Sequence, residues 1–232
     1  GCVYIFENSN AGTLVQTITA PIPAAEDNFG INVYFKDNFL FVSQISSTVV
    51  NTGSVYVYQY NGSSYQFVQQ ITSQGIPYFG SKVWGHNNRI YIGEGNVFND
   101  TSAYQSVKAY EWNGTEWTSN SSYDLHSPFK AIDFHNDDLI VLTNNLNINT
   151  LTTFNDDGTS WVNAGSFTIN FDDFFTRTIK IKGDIMAVGA NYYILQTERK
   201  FPVKIYQYTN SSWTQTHTLY GYGTEFQDDA FG

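Results

Sequence analysis

Short runs of alternating apolar and polar residues, separated by turn-forming residues, extend along the chain. Three such runs near its beginning are residues 31–35, 39–43 and 55–60, and clusters such as Lys36-Asp37-Asn38 and Asn61-Gly62 divide them. Alternation with a period of two is typical of half-buried β-strands, and Asn-Gly favours a type I′ hairpin turn. No window has convincing helical periodicity, so the pattern predicts an all-β protein with almost no helix.

The strand-like runs recur in groups of four at a spacing of about fifty residues. Each group begins near a phenylalanine, and the members of this repeat motif are Phe29-Gly30, Phe79-Gly80, Phe129, Phe174 and Phe231-Gly232. We expect the glycine to permit a close backbone approach or an unusual φ, and the phenylalanine to fill the gap between neighbouring sheets. Four antiparallel strands in a repeat of this length are the signature of a β-propeller blade, which buries its faces against neighbouring blades.

The repeats predict one β-propeller domain, or a fragment of one, with about four full blades and a partial blade at each end. We expect the full blades at about residues 26–72, 73–122, 123–168 and 169–220, between a partial blade at 1–25 and the start of another at 221–232. Because this frame is offset from the chain ends, three arrangements stay open. They are a five-bladed ring that lacks about twenty residues, a part of a larger ring of about seven blades, and completion by a neighbouring chain.

Three segments carry a resemblance to a known family. They are Asp27-Asn28-Phe29-Gly30, Gly183-Asp184 followed by Met186-Ala187-Val188-Gly189-Ala190, and Gly53-Ser54-Val55-Tyr56-Val57-Tyr58. In this order of motifs the chain resembles the FG-GAP repeats of integrin-α-like propellers and of many secreted proteins. The resemblance implies an integrin-like propeller in an extracellular setting, with calcium bound in some of its loops.

The loops themselves do not favour calcium. Calcium takes about six to eight oxygen ligands, which FG-GAP repeats supply from a carboxylate-rich loop of the form Asp-x-Asp/Asn-x-Asp/Asn-Gly. The corresponding loops here, such as residues 45–52 and 144–150, are rich in Asn, Ser and Thr but poor in carboxylates. We therefore predict no metal and no other cofactor, with calcium kept only as what the resemblance implies.

Composition narrows the classes of partner. The net charge is −10 with a pI of about 4.6, and aromatic residues make up 17% of the chain against 14% for charged residues. An aromatic-rich, charge-poor chain favours a folded protein, and its acidity argues against nucleic-acid and anionic-membrane partners. No stretch is long and apolar enough for a membrane span, and the single cysteine, Cys2, excludes an intrachain disulfide.

Catalytic motifs are not recognisable. The four histidines, His86, His126, His135 and His217, have no metal-binding spacing. Residues 155–161 partly match the sialidase Asp-box, which is a structural hairpin. A sialidase also needs three convergent arginines. Of the three present, Arg89 and Arg177 fall on different strands of their predicted blades, and Arg199 falls in a loop. We predict a protein that is not an enzyme, with a glycosidase as a remote alternative.

Two sets of surface residues are candidates for function. Acceptor sequons for N-glycosylation occur at Asn61, Asn113 and Asn210, which share one hairpin position, and at Asn99 and Asn120. The long loops 94–105 and 191–202 fall on the opposite face of the predicted propeller, and they carry the candidate interaction residues Phe98, Tyr104, Tyr192 and Tyr193.

Together these features predict a non-catalytic extracellular module. It would act as a structural, adhesive or protein-interaction unit, with self-association as one form of partnership. Aromatic residues in polar loops also suit the faces of sugars, so a carbohydrate-binding, lectin-like propeller is the alternative. The expected location is outside the cell, at the cell surface or in the lumen of the secretory pathway.

Overall fold

A computed structural model describes residues 1–8, 12–23, 28–45, 53–73, 78–95, 106–126, 129–145, 148–169, 175–191 and 200–222. Within these ranges the chain is built from β-strands, with one short 3-10 helix at Ser121–Tyr123. None of the described helical segments is long and apolar enough to cross a membrane. The all-β prediction is confirmed.

The described strands form five antiparallel sheets, each an up-and-down meander. The half-blade pairs β1 (Cys2–Phe6) with β2 (Leu14–Thr19). Blade I comprises β3 (Val33–Lys36), β4 (Phe39–Ile45), β5 (Gly53–Tyr60) and β6 (Tyr65–Thr72). Blade II comprises β7 (Val83–His86), β8 (Arg89–Glu94), β9 (Ser106–Trp112) and β10 (Trp117–Ser119). Blade III comprises β11 (Ala131–His135), β12 (Asp138–Asn145), β13 (Ile148–Asp156) and β14 (Trp161–Ile169). Blade IV comprises β15 (Phe175–Lys182), β16 (Ile185–Asn191), β17 (Lys200–Thr209) and β18 (Ser212–Tyr222).

The chain divides into two compact units. The first, Gly1–Ser127, contains the half-blade and blades I and II, and the second, Pro128–Gly232, contains blades III and IV. In each unit the hydrophobic core lies between neighbouring sheets: Phe41 of blade I clusters with Ile90 of blade II, and Leu142 of blade III clusters with Met186 of blade IV. Burial between stacked four-stranded meanders is how propeller blades form a core, and the fold is a β-propeller of about four blades.

The turn between the first and second strands is built alike in all four blades. Its first residue has a positive φ, of 54° at Asp37, 49° at Asn87, 51° at Asn136 and 55° at Gly183. Asp, Asn and Gly are the residues that adopt this left-handed conformation at least cost. The turn therefore fixes the strand register in the same way in each blade, which makes residues of different blades directly comparable.

In blades I and II the glycine of the Phe-Gly motif lies against the sheet before it. Gly30 and Gly80 have φ values of 88° and 89°, and their N–H groups donate to the carbonyls of Ser43 and Gly93 at 2.9 and 3.0 Å. A Cβ on Gly80 would lie 3.1 Å from the Val55 side chain and 3.2 Å from the Ser54 carbonyl. A Cβ at Gly80 would therefore crowd the neighbouring sheet, which would have to give way by a few tenths of an ångström. Phe29, Phe79 and Phe129 are buried, whereas Phe174 and Phe231-Gly232 lie outside the described residues.

Candidate functional site

Three junctions between neighbouring sheets lie inside the two units: half-blade to blade I, blade I to blade II, and blade III to blade IV. The first strands of the last two junctions are linked by a side chain. The Tyr34 hydroxyl donates to the Gly85 carbonyl at 3.2 Å, and the carboxylate of Asp133 accepts from the Ile181 N–H at 2.7 Å. Tyr34 and Asp133 hold the same place in their blades, since each lies two residues before the end of its strand. Tyr34 and Asp133 are different side chains, but they make equivalent links between the first strands of neighbouring blades.

A glutamine links the last strands of the sheets in the first two junctions, where β2 of the half-blade has the same bulge as the fourth strand of blade I. Gln16 of the half-blade donates to the Tyr65 carbonyl and accepts from the Tyr65 N–H, both at 2.8 Å. Gln69 of blade I does the same to Trp117 of blade II, at 2.9 and 2.8 Å. In each case one carboxamide pairs with both backbone groups of one residue, and we call this arrangement the carboxamide clamp.

In the junction of blades III and IV a glycine stands at the clamp position. The last strand has a β-bulge in the half-blade, in blade I and in blade III. Directly after the bulge, Gln16 pairs with Ile5, Gln69 with Val57 and Gly165 with Thr153. Strand pairing also identifies the residue of blade IV that a clamp would contact. Trp213 pairs with Tyr208 next to the hairpin turn of blade IV, as Trp117 pairs with Trp112 in blade II. Gly165 has no side chain to reach Trp213, so this junction lacks the clamp.

A second residue that fills the earlier junction is also replaced. Phe39, the first residue of β4, packs with its ring centroid 4.7 Å from that of Trp112 and 5.4 Å from that of Trp117. Asp138 begins β12 and pairs with His135, just as Phe39 begins β4 and pairs with Lys36. A short charged side chain therefore stands where blade I has a phenyl ring.

The two replacements leave an open cavity of about 380 Å³ between blades III and IV. Its aromatic and apolar lining includes Phe167, Tyr208, Trp213 and Ile140. Its polar wall includes Asp138, Asn155, Ser211 and Ser212, and Gly165 lies in the same lining. A cavity with aromatic surfaces and a few convergent polar groups has the general character of a ligand site.

Hydrogen bonds fix the polar groups of this cavity. Asn155 donates its amide to Asp138 at 2.7 Å, and Asp138 has no lysine or arginine partner among the described residues. The His135 ring is only 2% exposed, lies 3.0 Å from the Asp184 carboxylate, and packs 4.3 Å from the ring centroid of Tyr208. The histidine therefore supports the wall, while Asp138 offers an unneutralised carboxylate to a hydrogen-bond donor.

A buried polar pair lies in blade II. Glu94 is fully buried and accepts a hydrogen bond from the Ser106 hydroxyl. Burial, followed by the charges of Glu94 and Asp124, raises the pKa of Tyr110 to about 12. The phenol is therefore protonated at neutral pH.

The sequons at the hairpins have a structural role. The side-chain oxygen of Asn61 accepts from the Ser63 and Ser64 N–H groups at 3.0 Å, and that of Asn113 accepts from Thr115 and Glu116 at 2.9 Å. Asp157 builds the same turn in blade III, with Thr159 and Ser160. An Asx turn thus explains the residue type at this position, since asparagine and aspartate both support it.

The structure differs here from the type I′ turn expected at Asn61-Gly62. Four residues separate Tyr60 from Tyr65, and of the first two only Gly62 has a positive φ, of 100°. Positive φ at two successive turn residues occurs instead in blade IV, at Asn210 and Ser211. Asn120 caps the 3-10 helix by accepting from Ser122, and these asparagines are exposed or half-buried.

Other candidates from the sequence fall outside the described ranges. They are the sequon residue Asn99 and the interaction-face candidates Phe98, Tyr104, Tyr192 and Tyr193. Arg199 is also outside them, and Arg89 contacts Glu111 through an ion pair at 2.5 Å. Among the described residues no group of three or more His, Cys, Asp or Glu side chains is placed to hold a metal ion.

The sequence did not single out Asp138 or Gly165 as site residues. The available signal was the pattern Gln16-Thr17-Ile18 and Gln69-Gln70-Ile71, which recurs at one place in two repeats. Its loss in blade III becomes visible only with the bulge after Asn163, which determines that Gly165 is the equivalent of Gln69.

Comparisons with known proteins agree with the fold. No family model matches the chain, and no curated protein matches its sequence. Among solved structures the chain is similar to the β-propeller domain of the Trilobed protease from Pyrococcus furiosus, which has an open velcro topology. The TM-score is 0.50 at 7% identity, over 80% of this chain and 56% of that one. The chain thus spans little more than half the length of this neighbour, and the likeness shows a shared β-propeller fold.

Proposed function

We propose that this chain is a non-catalytic interaction module that holds a short segment of a protein partner in the cavity between blades III and IV. One observation carries the proposal. The two residues that fill the junction of blades I and II, Phe39 and Gln69, are replaced by Asp138 and Gly165 in a junction that otherwise keeps its core and its first-strand link.

The chemistry of the replacements favours a binding site over a packing defect. Cavities that stay empty are apolar, whereas this one is lined by a carboxylate, an amide and two serines beside its aromatic rings. Its volume of about 380 Å³ is at the small end of ligand pockets, which suits one or two side chains of a peptide.

We also propose that the chain is extracellular and that it is related to the FG-GAP repeats. Support comes from the Phe-Gly geometry of blades I and II, from the net charge of −10, and from sequons on exposed hairpins such as Asn61 and Asn113. An adhesive or partner-binding propeller in the secretory pathway combines these features. N-glycosylation at these asparagines is part of that proposal.

Carbohydrate is the second candidate ligand, and a specific arrangement favours it. The rings of Tyr208 and Trp213 could stack on the C–H face of a sugar while Asp138 and Asn155 hydrogen-bond to its hydroxyl groups. A lectin-like module would use the same cavity, so the two candidates differ in the ligand and share the site.

The test compares a displayed peptide library with a glycan array, using the wild-type chain and two variants. Asp138→Phe should refill the cavity, and Thr159→Ala, which changes a residue of the blade III hairpin turn outside the cavity lining, is the control. We expect selected peptides to bind the wild type and Thr159→Ala but not Asp138→Phe. Sugars that bind with this same variant pattern would replace the peptide proposal by the lectin alternative. Absence of both kinds of binding, or binding unaffected by Asp138→Phe, would overturn the site itself.

A further inference from the structure

We propose that the cavity between blades III and IV recognises a primary carboxamide, the side chain of an asparagine or glutamine in the partner segment. This inference rests on the proposed function, and it names the group that the site selects. The partner would supply in trans the clamp that the other two described junctions contain in cis.

The two filled junctions show which chemical group fits the clamp position. At the two filled junctions the side chains of Gln16 and Gln69 reach the backbone of Tyr65 and Trp117, and each makes one donated and one accepted hydrogen bond of 2.8 to 2.9 Å. Trp213 holds the corresponding place in blade IV and lines the open cavity. The same pair of backbone groups therefore faces a space without a carboxamide.

The geometry of the clamp is selective among related groups. A primary carboxamide presents an N–H and a carbonyl oxygen on one side, so it can pair with the C=O and N–H of a single residue. A trans secondary amide, as in a peptide bond or an N-acetyl sugar, points these two groups in opposite directions. A carboxylate has only acceptors, and it would leave the backbone carbonyl without a donor.

The surroundings strengthen this selection. Asp138 lines the cavity without a cationic partner among the described residues, so it repels a ligand carboxylate and accepts from a ligand N–H. Phe167 and Trp213 offer apolar surface to the methylene groups that carry the carboxamide. Glutamine and asparagine should therefore bind in preference to glutamate and aspartate.

Gly165 keeps the place open for a ligand. Its φ of 135° is a conformation that side chains rarely adopt, and a Cβ built there meets no atom within 4 Å. A glutamine at this position would have room, at a backbone cost. Gly165→Ala carries the same backbone cost without a carboxamide, so it is the matched control for Gly165→Gln.

The test uses three small probes on the whole chain: propionamide, N-methylpropionamide and propionate. The readout is the backbone N–H resonance of Trp213 in a nitrogen-15 NMR spectrum. We expect propionamide to shift this resonance in a saturable manner, with the other two probes at least tenfold weaker. In Gly165→Gln the resonance should already be displaced and unresponsive to propionamide, whereas Gly165→Ala should respond like the wild type.

The outcomes separate this inference from the proposed function. Equal shifts by all three probes, or shifts of other resonances only, overturn the carboxamide inference. The wild-type comparison gives this answer even if a variant does not fold. Peptides that bind the cavity without any preference for Asn or Gln would overturn the inference and leave the interaction module standing. No response to the probes, together with no peptide or glycan binding, would remove both.

Discussion

Single glycines in this chain serve opposite purposes at two different junctions between sheets. At Gly80 the missing side chain lets the backbone of Ser54 and the side chain of Val55 approach closely, and the two sheets pack. At Gly165 the missing side chain removes the clamp, and the two sheets leave a cavity between them. The residue type alone does not distinguish these roles, whereas the contacts around each Cα do.

The close approach at Gly80 gives a prediction about stability. Gly80→Ala should lower the free energy of unfolding by about 2–3 kcal/mol, because it adds a left-handed strain to a contact that a Cβ would crowd. The control is Gly62→Ala, with φ of 100° and no atom within 4 Å of its Cβ, for which we expect about 1 kcal/mol. Urea unfolding measures both, and equal losses would show that close packing is not the reason for the glycine.

A prediction about pH concerns Asp157 in the hairpin of blade III. Hydrogen bonds from the Thr159 hydroxyl and from the N–H groups of Thr159 and Ser160 hold the pKa of this carboxyl below its usual range. Since the pKa is lower in the folded state, the contribution to stability is present above the unfolded-state pKa and is lost as the pH falls through the folded-state pKa.

Thr159→Ala should raise the pKa of Asp157 toward its usual value, because it removes the hydroxyl donor and keeps the two backbone donors. Thr159→Ser retains a hydroxyl and should leave the pKa low. A titration followed by carbon-13 NMR of the carboxyl measures all three proteins. A pKa of Asp157 that is the same in Thr159→Ala and in the wild type would show that the hydroxyl bond is absent in solution.

At the scale of strands and sheets, most of the blade architecture follows from the sequence. Alternation in runs such as residues 55–60 and left-handed turn residues such as Asp37 and Asn87 determine where strands begin and which side chains face a neighbour. The bulges are the part that alternation does not reveal. The extra residue in the fourth strands of blades I, III and IV changes the face of every residue after it, and for this reason alternation alone does not identify Gly165 as the equivalent of Gln69.

The carboxamide clamp gives a prediction at this scale. Gln69→Met keeps the length of the side chain and removes both hydrogen bonds to Trp117, so the free energy of unfolding should fall by about 1–3 kcal/mol. Gln66→Met, three residues earlier on the exposed side of the same strand, should change it by less than about 0.5 kcal/mol. Chemical denaturation provides the comparison, and similar effects of the two changes would contradict a stabilising role for the clamp.

At the scale of the whole molecule, the junction of blades I and II combines contacts at the first strands, in the core and at the fourth strands. The junction of blades III and IV keeps the first two, through Asp133 and through the cluster around Leu142 and Met186, and lacks the third. The missing fourth-strand contact can be identified because the blades repeat, and the filled junctions show which residues a closed junction contains. The repeat was predictable from the sequence, but a difference between two junctions requires their side-chain contacts.

A site that is open for a ligand has a cost in stability, and this gives the last prediction. Asp138→Phe should place a ring against Trp213 and Tyr208, as Phe39 lies against Trp112 and Trp117. Asp138→Ala removes the carboxylate without filling the space. We expect Asp138→Phe to be more stable than Asp138→Ala by at least about 1 kcal/mol, since burial of a phenyl ring contributes about 1.5–3 kcal/mol. For chains of this size that difference is about 2–4 °C in Tm, which calorimetry resolves. Equal stability of the two variants would mean that residue 138 does not face the rings of blade IV, and that the cavity is not a vacated form of the filled junction.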